Sequence, residues 1–376
     1  MNMGKTDLLS SNYIIDGVQM TLTPEKMLRE CMADPPLEAD GDAPTLADES
    51  PDPAPDNQTY DENLAEAYAS AIEALEKRDF PLPFAGPYTV GKVAQALVDA
   101  IWMGGHFRLP DLSLKADWKW TDKGIGLPAS FYFSVEDACN YIDALGVKIN
   151  RYSVVSGQPS VSFKATTVAE EEELDVPEEE SLLRDLPYRT VNPRISRRRK
   201  IPAGLFPEAS DWLIYIPFDP CDYRLGGSAL AQALGTSPST APEIQDADYF
   251  MDCYEVVREL VEDGIVKAGV TVGEGGLLTA LRSMAPITGA DVCIHDICKA
   301  YGDEMPVRVL FSEVPGVVIQ IANIDYDYVD AELILQDVVY YPLGHPVPGR
   351  EGIRLTQKVD IPQILESLLN TLEGED

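Results

Sequence analysis

The chain is short of positive charge: 29 Lys and Arg stand against 63 Asp and Glu in 376 residues, a formal charge of −34. Phosphate affinity comes from neutralising Lys and Arg, so this balance excludes a nucleic-acid partner, with one basic run, Arg194–Lys200, as the exception. Histidine is scarce, at His106, His295 and His345, and none has a Ser or Cys partner in a recognisable nucleophile motif, which argues against a triad. No run approaches the ~20 apolar residues of a membrane span, and Met1-Asn2-Met3-Gly4-Lys5-Thr6-Asp7 lacks the charged-then-apolar order of a signal peptide. The expectation is a cytoplasmic protein without a membrane partner. Cysteine occurs six times, at Cys31, Cys139, Cys221, Cys253, Cys293 and Cys298, scattered rather than framed, which points to free thiols in a reducing compartment.

What is present is a 45% apolar chain, enough to bury a sizeable core, at a length that suits two compact units and some loose chain. From Cys31 to Glu76 there is no Lys or Arg, and six prolines punctuate a run of Asp, Glu and Ala. Such a segment buries too little apolar surface to offset its ordering entropy, so 33–58 is expected to be disordered. A second charged stretch holds Glu170–Glu173 and Glu178–Glu180 and runs into the basic residues; these blocks either fold against each other or stay solvated. The division that results is an acidic arm (1–59), a first domain (60–165), a charged linker (166–205), a second domain (206–350) and a helical tail (351–376).

Periodicity places helices over about Tyr60–Lys77, with Leu64, Ala67, Tyr68, Ala71, Ile72 and Leu75 on one face, and over Val90–Met103. Short helical or extended pieces are expected over 7–32. Asp111–Trp120 alternates as a strand, Ser134 is a plausible N-cap for a helix to Leu145, and Ile149–Phe163 is strand material broken by Gly157 and Pro159. Further on, Trp212–Phe218, Gly264–Val272, Val307–Phe311, Val317–Ile321 and Val338–Leu343 read as strands. Helices are expected over Ile244–Glu262, Leu277–Met284 and Tyr326–Gln336, with a short one after Gly226-Gly227-Ser228. The fold class is α+β, a two-domain α/β chain, with helices expected on one face of the second sheet.

Two glycine turns precede helices, Gly226-Gly227-Ser228 and Gly273-Glu274-Gly275-Gly276. Bare N–H groups at the positive end of a helix dipole suit a phosphate; equally, glycine at a strand-to-helix turn serves backbone conformation alone. Cys293-Ile294-His295-Asp296-Ile297-Cys298 does not match common zinc spacings and lacks a second ligand pair, so no metal is assigned. Trp118 and Trp120 read as core or edge aromatics rather than a stacking platform.

At these residues the chain resembles the second half of phosphoribosylformylglycinamidine synthase, an amidoligase built from paired aminoimidazole-ribonucleotide-synthase-like units. Gln95-Ala96-Leu97-Val98-Asp99 followed by Lys115-Ala116-Asp117-Trp118 is similar to E-A-L-T-N and S-A-N-W, and Gly157-Gln158-Pro159-Ser160-Val161-Ser162-Phe163 to G-K-D-S-L-S-M. Leu225-Gly226-Gly227-Ser228-Ala229-Leu230-Ala231-Gln232 resembles L-G-G-T-A-L-A-Q. Val270-Thr271-Val272-Gly273-Glu274-Gly275-Gly276-Leu277 resembles H-D-x-S-D-G-G-L, and Leu310-Phe311-Ser312-Glu313-Val314-Pro315-Gly316-Val317 resembles L-F-x-E-x-P-G-x-V. The signatures occur in the family's order across about 60–350.

The resemblance implies aminoimidazole-ribonucleotide-synthase-like N-terminal and C-terminal domains, the first incomplete, that pair through their N-terminal sheets. A homodimer or a complementary synthase-like chain is therefore expected, with a glutaminase as a further possible partner. A lone half is expected to expose apolar sheet surface. In the family, magnesium and nucleotide are held by the Glu and Asn of E-A-L-T-N and by the Asp of H-D-x-S-D, with the Ser of that motif near the nucleotide. Here those positions are Gln95, Asp99, Thr271 and Gly273, and Glu274 follows; the Lys and Asp of G-K-D-S are Gln158 and Pro159. A hard cation needs several oxygen ligands, preferably anionic, so the resemblance implies a dismantled site and no bound cofactor, ATP or ADP with magnesium entering only if the site still works. Three functions follow: a non-catalytic or partner-dependent component of purine biosynthesis; an active ATP-dependent carbon–nitrogen ligase subunit completed by separate chains; or an interaction module that reuses the fold.

Overall fold

The structure is a computed structural model of the chain and describes residues 7–32, 60–103, 107–121, 123–167, 199–302 and 304–356. Residues 1–6 and 33–59 of the acidic arm, most of the charged linker, His106, Arg194 to Arg198 of the basic run and the tail beyond Thr356 lie outside those residues. The elements in order are α1 (Asp7–Ser10), β1 (Ile14–Ile15), β2 (Val18–Gln19), α2 (Pro24–Glu30), α3 (Ala65–Glu73), α4 (Ala85–Ile101), β3 (Leu112–Trp120), α5 (Leu127–Ala144), β4 (Lys148–Ser156) and β5 (Ser160–Thr167). The larger part follows with β6 (Trp212–Pro217), α6 (Ala229–Ala233), α7 (Ala247–Glu262), β7 (Val266–Val272), α8 (Gly276–Met284), β8 (Gly289–Val292), α9 (His295–Ala300), α10 (Pro306–Phe311), β9 (Gly316–Ile321), α11 (Tyr326–Leu335), β10 (Tyr341–Val347) and β11 (Ile353–Leu355).

Two sheets organise these elements. The smaller has order β4-β3-β5, with β3 parallel to β4 and antiparallel to β5; α5 makes the crossover between the two parallel strands. Along β3 the side chains of Leu112, Leu114, Ala116, Trp118 and Trp120 are buried, so both tryptophans are core residues. The larger sheet has order β11-β8-β10-β6-β9-β7. Its middle strand β6 buries both faces: Ile214 and Ile216 join the core shared with α4, α5, α7 and β3, whereas Leu213 and Tyr215 join a second core with α8, α10 and α3. Helices thus cover both faces of the large sheet, not one, and the near-continuous apolar run Leu213–Ile216 is the sequence trace of that double burial.

The first core is continuous from the small sheet to the large one, so the layers run sheet, helices, sheet, helices. Helix α3 packs on the far side of the large sheet, burying Ala65 and Ala69, with Tyr68 and Ile72 beside them, and Arg282 of α8 clamps it through Glu66 (2.6 Å) and Glu73 (3.0 Å). Its buried face is shifted from the expected one, and Leu64 is exposed.

Three further expectations are corrected. Val307–Phe311 is helix, not strand: Pro306 presets the first turn, and Val307, Val309, Leu310 and Phe311 are all buried, a run whose periodicity cannot separate strand from buried helix. Ser134 is not an N-cap; α5 begins seven residues earlier, after Gly126 with Pro128 in its first turn, and the buried Ser134 hydroxyl lies 2.8 Å from Thr89 and accepts from Trp118 Nε1 at 3.0 Å. The outer face of the small sheet is not apolar. It carries Lys115, Asp117, Lys119, Arg151 and Lys164, with Val155 its one large apolar side chain that is exposed among the described residues. Short β8, α9 and β11 had no periodic signal strong enough to be read.

Where α4 crosses α5, Gly86 lets the Asp137 carboxylate lie against its backbone; a Cβ at Gly86 would sit 1.6 Å from Asp137 Oδ2. Burial, with a smaller contribution from neighbouring Glu136, pushes the Asp137 carboxyl up to about 6. An acid raised in the folded state binds its proton more tightly folded than unfolded, so its penalty is absent below pH ~4 and full above pH ~6. Asp137→Asn is therefore expected to stabilise the protein by about 1–3 kcal/mol at pH 8, the gain fading as pH falls from 6 to 4. Urea unfolding of both proteins across that range checks it; a gain independent of pH contradicts it.

Candidate functional site

Helix α4 presents Gln95 and Asp99 one turn apart, and both meet the end of β7 and the start of α8. Together with Thr271, Gly273, Glu274, Thr279, Ala280 and Ser283 they line a cavity of about 270 Å³. Of the positions matched to the family's nucleotide site, the structure brings together Gln95, Asp99, Thr271, Gly273 and Glu274. Gln158 stands apart, accepting from Lys77 and donating to Asp79 at 2.9 Å.

The cavity is held by contacts among its own walls. Thr271 donates its hydroxyl to Asp99 Oδ1 at 2.5 Å and accepts from Trp102 Nε1 at 2.8 Å. Burial raises the Asp99 carboxyl above its ordinary range, against the opposing pull of the Thr271 hydroxyl and of the Arg199 and Lys92 charges. The Gln95 amide rests on Gly273, where a Cβ would come within 2.5 Å of Nε2. Glu274 pairs with Lys92 at 2.6 Å and Arg78 at 3.2 Å; burial alone would raise its carboxyl, but these cations hold it below the usual range.

The two glycine turns converge on one side chain. Oε1 of Glu313 accepts the backbone N–H of Ala229, at the start of α6, at 2.8 Å and that of Gly275, before α8, at 2.9 Å. Oε2 accepts from Arg78 Nη2 at 2.7 Å, and the same guanidinium also donates to the Gly227 carbonyl. Gly226 and Gly227 form a tight turn, and Ser228 spends its hydroxyl on the N–H of Ala231 at 3.2 Å. Donors that would face a phosphate at Ala229 and Gly275 thus face a protein carboxylate. Gly226, Gly227 and Ser228 also line a smaller pocket with Tyr88, Lys92, Gln95 and Glu313, so Gln95 borders both spaces.

Sequence reasoning missed Arg78, Lys92 and Tyr88, which carry no motif; Glu313 stood in the L-F-x-E-x-P-G match, where its role was not drawn. Cys293 and Cys298 are half-buried beside an exposed His295, and all six cysteines are unbridged. Among the described residues no group of three or more His, Cys, Asp or Glu is arranged to hold a metal ion. The donor set in the cleft does not fit magnesium: its carboxylates are Asp99, whose charged form is disfavoured, and Glu274, already neutralised by two cations.

Residues 209–342 match the C-terminal domain of AIR synthase related proteins. The chain is an AIR-synthase-like protein related to phosphoribosylformylglycinamidine synthase. It is 26% identical to that synthase from Drosophila melanogaster over 289 residues, which cover 74% of this chain and 20% of the fly protein. The human synthase is 27% identical over 217 residues, or 58% of this chain and 15% of the human protein. The fold is similar to Thermotoga maritima PurL complexed with FGAR, with a TM-score of 0.52 at 13% identity, covering 75% of this chain and 43% of that one. The chain spans a fifth or less of the length of these curated relatives. No described helix is long and apolar enough to cross a membrane.

Glu313→Gln removes the charge that Arg78 and the two helix starts share, leaving a nearly buried guanidinium short of its partner. A loss of about 2–4 kcal/mol is expected, read as a lower urea midpoint; an unchanged midpoint contradicts the role given to Glu313.

Proposed function

We propose that the chain is a non-catalytic or partner-dependent component of purine biosynthesis, keeping the synthase scaffold without a working magnesium–nucleotide site. One observation carries the reading: where the family places ligands, Asp99 is bonded to Thr271, and Gln95 packs against Gly273 and accepts from the Lys92 ammonium at 3.4 Å, so these positions are already engaged by the protein. A metal-bound triphosphate needs anionic oxygens on the metal and cations on the phosphates. Here the cations beside the cleft are committed to the protein itself, Lys92 and Arg78 to Glu274 and Glu313 and Arg199 to the Ile201 and Gly269 carbonyls.

A second reading, an active ligase subunit acting with other chains, draws on the similarity to the fly and human synthases over 74% and 58% of this chain. A further synthase-like unit and an ammonia-producing glutaminase would then act beside it, and activity on reconstitution would be its mark.

Thermal unfolding of the full chain with magnesium and ATP or ADP separates the readings. A native-state ligand raises Tm with concentration by mass action, so the proposal expects no shift up to millimolar nucleotide. A rise that grows with nucleotide and needs magnesium contradicts it.

A further inference from the structure

The open face of the small sheet carries a row of cations. Because Leu112, Leu114, Ala116, Trp118 and Trp120 point into the core, the alternate side chains from Lys115 onward point outward. Register places Lys115 directly beside Arg151 on β4 and beside Lys164 on β5, three cations in one line across three strands. Lys119 follows two repeats along β3, beyond Asp117, and is flanked by Val155 and Ser160. Arg151, Lys164 and Lys119 are exposed and Lys115 is half-buried, and none of the four forms an ion pair among the described residues. Asp117 on the same face accepts the Ser153 hydroxyl at 2.5 Å rather than meeting a cation.

Like charges directly opposite each other weaken a sheet, so this row is held at a local cost while nothing described neutralises it. It also runs against the character of the chain, whose formal charge is −34. We propose that this face is a docking surface for an acidic polypeptide partner and that the occupant is not a second copy of the chain. Two copies stacked through it would set one cationic row against another; a carboxylate-bearing surface would turn the same repulsion into attraction and fix the docking register. This rests on the proposed dependence on a partner and names the chemistry of that partner's face. It stands apart from the state of the nucleotide cleft.

Fluorescein-labelled poly-L-glutamate, mixed with the full chain at about 50 mM and about 300 mM salt, tests it, because a rim of exposed charges is screened within a Debye length. The expected result is binding that weakens with salt and falls at least ~tenfold in the Lys115→Glu, Arg151→Glu, Lys164→Glu triple variant at unchanged Tm. Should that variant fail to fold, the same three positions changed to Ser are read instead. Absence of binding, equal binding by the variant, or tighter binding of poly-deoxythymidylate of matched charge overturns the proposal. So does a wild-type dimer in sedimentation that the triple variant dissolves, which would make the occupant a second copy. Binding that appears only after deletion of 169–186 overturns it too, since the face would then be covered by the chain's own acidic insert. Any of these failures leaves the partner-dependence reading to be judged separately, by reconstitution with a synthase-like chain.

Discussion

The Glu313 carboxylate holds the seam of this molecule. Its two oxygens reach the start of α6, the turn before α8 and the guanidinium of Arg78, which precedes α4 in the chain. Three segments far apart in sequence are thereby fixed around one nearly buried ion pair. Helix starts carry unsatisfied N–H groups and a positive dipole end, and a buried anion at two of them answers both needs at once. Arg78 in turn fixes the Gly227 carbonyl and stacks 4.9 Å from the centre of the Tyr88 ring. The position of α4 against β7 and α8, and so the shape of the cleft between them, follows from that seam and from Trp102, whose ring lies on Gly269.

A scaffold fixed in this way tolerates change in what it once presented. The residues that separate this cleft from a cation site make no direct contact with Glu313: Asp99 and Thr271 bond to each other, and Gln95 packs on Gly273 and accepts from Lys92. Glu274 links the two regions through Lys92 and Arg78, so these two cations beside the cleft serve the structure. On the proposed reading, fold and site are separable here: the likeness to the synthase in its structural glycines and core coexists with a ligand set unsuited to magnesium.

Much of the fold was legible because long amphipathic elements carry their own signal. Ala247–Glu262 and Gly276–Met284 fall within a few residues of where periodicity puts them, and the short apolar run at Gly316–Ile321, buried at every position, is found as a strand. Pro306–Phe311 failed because a short helix buried all round has the composition of a strand, and Ser134 misled because a hydroxyl that caps a helix and one that pins two helices to a tryptophan look alike in sequence. The cleft was legible position by position through the motif matches. Its closure was not: that Glu313 would serve both glycine turns, or that Lys115, Arg151 and Lys164 would line up, depends on register and crossings that no local pattern encodes.

The most direct measurement is diffraction from crystals of the full chain grown with magnesium and a non-hydrolysable ATP analogue. The account predicts the Gln95 amide resting on Gly273, the Asp99–Thr271 bond intact and no triphosphate between α4 and β7. A cation seated on Asp99 with phosphate oxygens completing its shell, and Gln95 swung away, would contradict it.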